Sequence, residues 1–484
     1  MDPISMNSYN VSNLLRISGL ATGLDTDSMV QQLIRAASIP LDRLEQQKQW
    51  YQWQQEGLRD INSQLMSLRN DNVFKLKLQG TFMAKTVTSS NSSVATATAG
   101  ANAVNGTYTI NVTSLAEAPT YVTTPTATTI NNTGGDVMLT LNGQSLVIKN
   151  NATIGDVVTA INNLTSQTNV SATYDSTLNK LFLVSSKTGS QSTITLTAND
   201  TNGQTVLQNL GLPTSGINVT GSNASFSFNG FSMTSPTNNI TVAGINITLT
   251  GTGTTTLTVS TDVDKIYNTI KSFVDSYNDI ITKINAKLTE KRYYDYPPLT
   301  SEQKQAMKDS DITLWEQKAR SGDLANDETL MRIYYSMRNV VSSTVSGVGS
   351  LSSIGITTGQ WYEGGKLYID ETKLRDAIAT NPQLVMNIFT GTSTSQGIAQ
   401  QLYDTLNSGI DAITQKAGST TQLYDTSFIG NRIREIDDRI AQMQDYLNNL
   451  EQRYYAQFTQ LEMYVSQMNS QSAWLSQQIG VMTK

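Results

Sequence analysis

Cysteine and histidine are both absent from this 484-residue chain. Without them there is no disulfide framework, thiolate metal site, cysteine nucleophile or imidazole base. Charge is also scarce, at 15% of residues, so the surface must rely on Ser, Thr, Asn and Gln. A net charge of −6 argues against a nucleic-acid partner held by phosphate neutralisation. No long uninterrupted apolar run occurs, so no membrane span is expected. The segment Met1–Arg16 is polar and lacks the apolar centre of a secretory signal. A chain free of disulfides suits export by a route that avoids them.

What is present is periodicity. From Gly430 to Lys484, a stretch without proline, apolar residues recur at steps of three and four: Ile433, Ile436, Ile440, Met443, Leu447, Leu450 and Tyr454. After one extra four-residue step the stripe resumes at Phe458, Leu461, Val465 and Met468, and continues through Leu475, Ile479 and Met482. This spacing predicts one long helix with a coiled-coil seam and a stutter between Tyr454 and Phe458. About 50 residues of helix would be ~75 Å long. Such a helix cannot bury its stripe against itself, and the expected partner is the other end of the chain.

That end reads Ile17-Ser18-Gly19-Leu20-Ala21-Thr22-Gly23-Leu24-Asp25-Thr26-Asp27. Asp25, Thr26 or Asp27 can cap a helix carrying Met29, Val30, Leu33, Ile34 and Ala37. Pro40 breaks it or opens a second helix with Leu41, Leu44, Tyr51, Leu58, Ile61, Leu65 and Leu68. From Thr81 the period becomes two, in Thr- and Val-rich strands. Asn105-Gly106 is a turn signal between Val94–Ala97 and Thr107–Val112, and Asn142-Gly143 joins Val137–Leu141 to Ser145–Ile148. Thr153 is expected to cap a short helix reaching Leu164, followed by the hairpin Val170–Tyr174 and Lys180–Ser185. Strands resume from Ala224 to Val259. The Asn-x-Ser/Thr triplets of this region read as a β surface and not as glycosylated sites. Helices return at Asp262. A small hairpin around Ile356 and Leu367 follows, then helices from Glu371, after Asn381-Pro382, and over Gln396–Lys416.

The layout is an α+β multidomain chain. Terminal α-helices form a coiled coil and helical bundle, and antiparallel β domains are inserted at the distal end of an elongated molecule. The expected division is 1–38 with 455–484 as paired terminal helices, 39–80 with 262–454 as the helical bundle, 81–124 with 217–261 as a β head, and 125–216 as an inserted β domain. No catalytic constellation is expected. The close acidic pairs Asp25/Asp27, Asp262/Asp264 and Asp309/Asp311 each precede a helix, where they would cap it. Trp50, Tyr51 and Trp53 read as packing or subunit contacts in preference to a stacking platform. The apolar stripe at the chain ends is expected to exceed what the shorter N-terminal arm can cover, and so to order on assembly.

The Ser18–Thr26 run resembles the N-terminal signature of the flagellar hook-associated protein 2 family, the filament caps. Gly322-Asp323-Leu324, the Gly355-Ile356 to Phe389 unit and Met468-Asn469-Ser470-Gln471 are similar to further family pieces, and Thr153–Lys187 resembles the module inserted in flagellins. The resemblance implies a structural ring, commonly a pentamer, at the flagellum tip, exported unfolded through the type III channel. It implies partners in flagellin, the filament end or hook–filament junction proteins, and a cytoplasmic export chaperone, with no cofactor, no metal and no enzymatic activity. Assembly residues are then expected at Ile17, Leu20, Leu24, Met29, Leu33, Leu461, Val465, Met468, Trp474, Leu475, Ile479 and Met482. Two alternatives stand beside the cap: another axial component, such as a junction protein or flagellin, and a surface adhesin binding glycans through the β head.

Overall fold

Steps of three and four become helix at both ends of the chain, and steps of two become strand between them. The computed structural model describes residues 22–419 and 424–482. These fall into two compact units. The first takes its described residues from Met1–Lys77, Ile270–Asp370 and Asn387–Lys484, and the second from Leu78–Thr269 and Glu371–Met386.

The first unit is helical. Asp25 caps Thr26–Ala37 by accepting from the Ser28 amide at 3.0 Å. Pro40 then stands in the first turn of Ile39–Ser67, where its missing N–H costs no hydrogen bond. Of the two readings of Pro40, the structure takes the opening one. The helix runs on through a π-helical turn, Leu68–Val73, into Phe74–Lys77. Its Leu58, Ile61 and Leu65 are fully buried. It packs against Ile398–Ala417 and against the 55-residue terminal helix Phe428–Met482. Ile398–Ala417 in turn packs on Glu328–Val341, where a Cβ on Gly409 would stand 3.0 Å from Ile333. The close approach of these helices therefore needs a residue without a side chain.

Two polar devices hold this unit. Asn278 substitutes for a strand, accepting from the Leu367 amide and donating to the Leu367 carbonyl, both at 2.8 Å. It thereby fixes the small hairpin of Ile356–Thr358 and Leu367–Ile369. Asp323 has a side chain with no exposed area, and it pairs with Lys287 at 3.1 Å and with Arg320 at 3.7 Å.

The second unit has two apolar cores. One lies among a five-stranded sheet, in the order Lys85–Ser89, Gly253–Thr261, Gly106–Ser114, Ala224–Phe228 and Phe231–Ser235, and a three-stranded sheet of Asn239–Val242, Ile245–Leu249 and Ala95–Ala99. Ile110, Val112, Phe226, Ile247 and Leu257 fill it. The other is built on Val137–Leu141, Gln144–Ile148, Thr193–Ala198 and Ile217–Thr220, with Thr120–Thr123, Val170–Asp175 and Lys180–Ser185 as a second sheet. Helices Ile154–Asn163 and Thr201–Asn209 add Val157, Ile161, Val206 and Leu207 to it. Thr153 caps the first of these helices in a reciprocal box with Asp156. Asn142 and Gly143, at φ 47° and 81°, turn the predicted hairpin. The expected α+β class is therefore the observed one.

Two local expectations are corrected. Asn105-Gly106 does not join its flanking strands: Ala95–Ala99 pairs with Ile245–Leu249, while Gly106–Ser114 lies between Gly253–Thr261 and Ala224–Phe228. The Asn105 side chain instead accepts from Lys85 and donates to Thr261. Asp309 and Asp311 do not cap a helix from outside. They sit in its first turn, behind Lys308, where their charge still meets the positive end of the helix. Thr201–Asn209 forms a further helix despite its polar composition and Gly203. Asp200 nucleates it by accepting from the Gly203 amide at 2.7 Å.

Asp323→Ala leaves Lys287 and Arg320 without their buried counter-charge. Both cations reach solvent in part, so the loss should lie near ~2–3 kcal/mol, below that of a fully buried pair. The urea midpoint of the helical unit should fall while its m-value stays unchanged.

Candidate assembly surface

The chain ends pair in antiparallel order. Lys48 meets Asp437 at 2.6 Å, and Arg59 meets Asp425 at 2.7 Å. At the far end, the Thr22 amide donates to Glu462 at 3.3 Å and the Thr22 hydroxyl donates to the same carboxylate. Numbers rise along one strand of the pair as they fall along the other. Between these polar points Ile436 and Leu447 are buried, and Ile433, Ile440, Met443, Leu450, Tyr454 and Phe458 are half-buried. This is the seam expected from the spacing.

Burial then drops along the terminal helix. Leu461 is 42% exposed, Met468 67%, Trp474 59%, Leu475 55% and Ile479 57%, while Val465 is half-buried. On the N-terminal arm Val30 is fully buried, but Leu24, Met29 and Leu33 are each about two-fifths exposed. Past Glu462 the terminal helix runs beyond Thr22, the first described residue of the opposite arm. Ile17 and Leu20 lie outside the described residues, as does the side chain of Met482. The structure thus lays Thr26–Ala37, with Met29 and Leu33, along the terminal helix, and strings Met468, Trp474, Leu475 and Ile479 along that helix past Glu462.

Two polar residues central to this pairing were not singled out from the sequence. Glu462 is only 3% exposed within an otherwise exposed stretch. It interrupts no apolar period, so spacing carries no sign of it. Asp425 stands at the entry to the terminal helix and accepts from Arg59, Gln55 and the Ser427 amide. Burial pushes its carboxyl up, but Ser427, Arg59 and Gln55 outweigh this and hold it below the ordinary aspartate range. Of the aromatic trio, Trp53 is buried as packing, whereas Trp50 faces a solvent-open cleft and carries the Arg292 guanidinium 4.0 Å above its ring.

Among the described residues no group of acidic side chains could hold a metal ion, and no helix is long and apolar enough to cross a membrane. A long antiparallel pair of chain ends, an apolar tip on one of them, and polar β domains between them define a structural class of protein. Comparison with known proteins gives the family. The sequence profile described as the flagellar hook-associated protein 2 C-terminus matches residues 221–470, and that of its N-terminus matches residues 22–119. The flagellin hook IN motif matches residues 129–187. The chain belongs to the flagellar hook-associated protein 2 family. A flagellar hook-associated protein 2 from Halalkalibacterium halodurans is 31% identical, over 96% of this chain and 99% of that protein. One from Escherichia coli K12 is 28% identical, over 95% and 97%. The crystal structure of the D1-D2-D3 domains of the flagellar cap protein FliD from Escherichia coli superposes with a TM-score of 0.57 at 25% identity, covering 79% of this chain and 99% of that one.

Glu462→Ala removes both contacts to Thr22 and leaves two donors to find water. Amide exchange over Thr26–Ala37 should accelerate by about tenfold, the equivalent of one lost hydrogen bond to a charged group, with Ile398–Ala417 unchanged. Asp425 predicts an acid dependence. Its folded value is depressed, so its contribution is complete above the ordinary 3.8 and is lost as pH falls through the folded value. Thermal unfolding followed between pH 5 and about pH 2 should show this loss, and Asp425→Asn should flatten it.

Proposed function

We propose that this protein closes the distal end of the bacterial flagellar filament as a ring of identical copies, a pentamer by family resemblance. It would keep exported flagellin from escaping while subunits fold and insert. Family membership along nearly the whole chain supports the capping role. The observation that carries the assembly step is the drop in burial along Phe428–Met482, which leaves Met468, Trp474 and Leu475 more than half exposed. Burying side chains of this size is worth roughly 1.5–3 kcal/mol each, so they favour a partner surface. Flagellin-like sites at the filament end, or the hook–filament junction proteins, would supply it outside the cell. A cytoplasmic export chaperone would cover the same tip beforehand.

The role is structural and needs no chemistry, in keeping with a chain that lacks histidine and cysteine. The relatives named as hook-associated protein 2, and the cap structure matched over 99% of its length, support a cap over another axial subunit. Glycan binding by the β head has no observation in its favour.

The experiment is complementation of a cap-deleted flagellated strain. The intact chain should restore filaments and retain flagellin. Trp474→Ser with Leu475→Ser should raise flagellin in the medium about tenfold or more, while circular dichroism of the purified variant stays unchanged. Continued loss of flagellin with the intact, secreted chain would overturn the reading.

A further inference from the structure

The turn of the small hairpin carries Trp361 and Tyr362, which are 87% and 69% exposed, with ring centroids 5.8 Å apart and edge to face. No other described tryptophan is as exposed. The turn is nonetheless tightly held. Glu363 accepts from the Gln360 amide at 2.5 Å and from the Tyr368 hydroxyl at 2.7 Å. The Gly359 amide donates to the Lys366 carbonyl at 2.8 Å, and the Tyr334 hydroxyl donates to the Gly364 carbonyl at 2.7 Å. A large aromatic pair on a fixed backbone loses little entropy on docking, which is the character of an interface anchor.

The same unit presents a cleft of about 420 Å³ walled by Trp50 and Tyr51 from Ile39–Ser67 and by Arg292, Tyr294 and Pro297 from the loop after Val263–Thr289. This is large enough for an aromatic side chain with its neighbour. The Arg292 guanidinium lies 4.0 Å from the Trp50 ring and 4.9 Å from the Tyr294 ring. The loop is held too, since Trp315 donates its ring N–H to the Pro297 carbonyl at 2.8 Å. Lys291 of this loop and Lys318 of Asp309–Arg320 lie over the Tyr293 and Tyr296 rings at 5.0 and 4.6 Å, and of the loop's two acids, Glu290 and Asp295, the first is paired with Lys287 at 3.0 Å. The knob carries an ionised Glu363; the cleft carries Arg292.

We infer that Trp361 and Tyr362 of one copy seat in the Trp50–Arg292–Tyr294 cleft of the next copy, with Glu363 facing Arg292. Convex and concave patches are made of different residues, so the contact is head to tail and propagates in one direction until it closes. The inference rests on the ring reading above and supplies one of its junctions. It is separate from the apolar tip of the terminal helix.

The test uses two full-length variants: a knob variant, Trp361→Ser with Tyr362→Ser, and a cleft variant, Arg292→Glu with Tyr294→Ser. Native mass is followed across a concentration series, with thermal unfolding as the control for folding. Each variant alone should associate at least about tenfold more weakly than the intact chain, as expected for loss of an anchor. Mixed, they should form a one-to-one dimer, because one good knob and one good cleft remain, and nothing larger. Assembly of both variants like the intact chain would overturn this junction and leave the ring reading standing. Weakened variants that fail to pair when mixed would overturn the assignment of knob to cleft. An intact chain that stays monomeric at every concentration would overturn both the junction and the self-assembled ring.

Discussion

Everything in the helical unit depends on the antiparallel pairing of the chain's two ends. A 55-residue helix exposes its apolar stripe to water unless another helix lies along it. Here Ile39–Ser67 and Thr26–Ala37 cover the first part, and the register is marked by Lys48–Asp437, Arg59–Asp425 and Thr22–Glu462. Partly exposed ion pairs of this kind contribute at most about 1 kcal/mol each, so they set alignment, and burial of Ile436, Leu447, Leu58 and Ile61 supplies the stability. Once the ends are joined, all that lies between them is an insertion and must return the chain to the point where it left.

The scarcity of charge has a structural counterpart. Asparagine side chains do much of what backbone strands usually do. Asn142 accepts from the Thr195 amide and donates to the Thr168 and Thr193 carbonyls. Asn238 binds both backbone groups of Ala116, and Asn278 does the same at Leu367. Asn131 stands at the head of an Asn-x-Thr triplet and is fully buried, donating to Gly135, Ile148 and Lys149 carbonyls. A carboxamide carries a donor and an acceptor and can close a gap between strands without burying charge. The polar composition of the β domains is therefore partly internal architecture, and the Asn131 triplet belongs to it.

The two surfaces proposed for assembly are of different physical kinds. The tip of the terminal helix is a run of exposed apolar side chains, Met468, Trp474, Leu475 and Ile479, along one helix. The aromatic turn at Trp361 is rigid, braced by Glu363 and Tyr334. The first suits a partner that covers a long stripe, and the second suits a single pocket.

Local order was legible in the sequence because local order is set by local chemistry. Alternation and spacing gave the helices at both ends, Thr153 as a cap, Asn142-Gly143 as a turn, and the small hairpin around Ile356 and Leu367. The exposed residues Met468, Leu475 and Ile479 lie on the apolar stripe read from the spacing of the terminal helix. What tertiary structure alone decided was which distant segments meet. Ala95–Ala99 left its neighbour in sequence for Ile245–Leu249, because strand edges of equal alternation do not name their partner. Thr201–Asn209 became helical through one cap and two apolar contacts. Glu462, Asp425 and Asp323 acquired their roles only when folding brought Thr22, Arg59 and Lys287 to them: a lone carboxylate in a sequence carries no mark of the cation or amide it will meet.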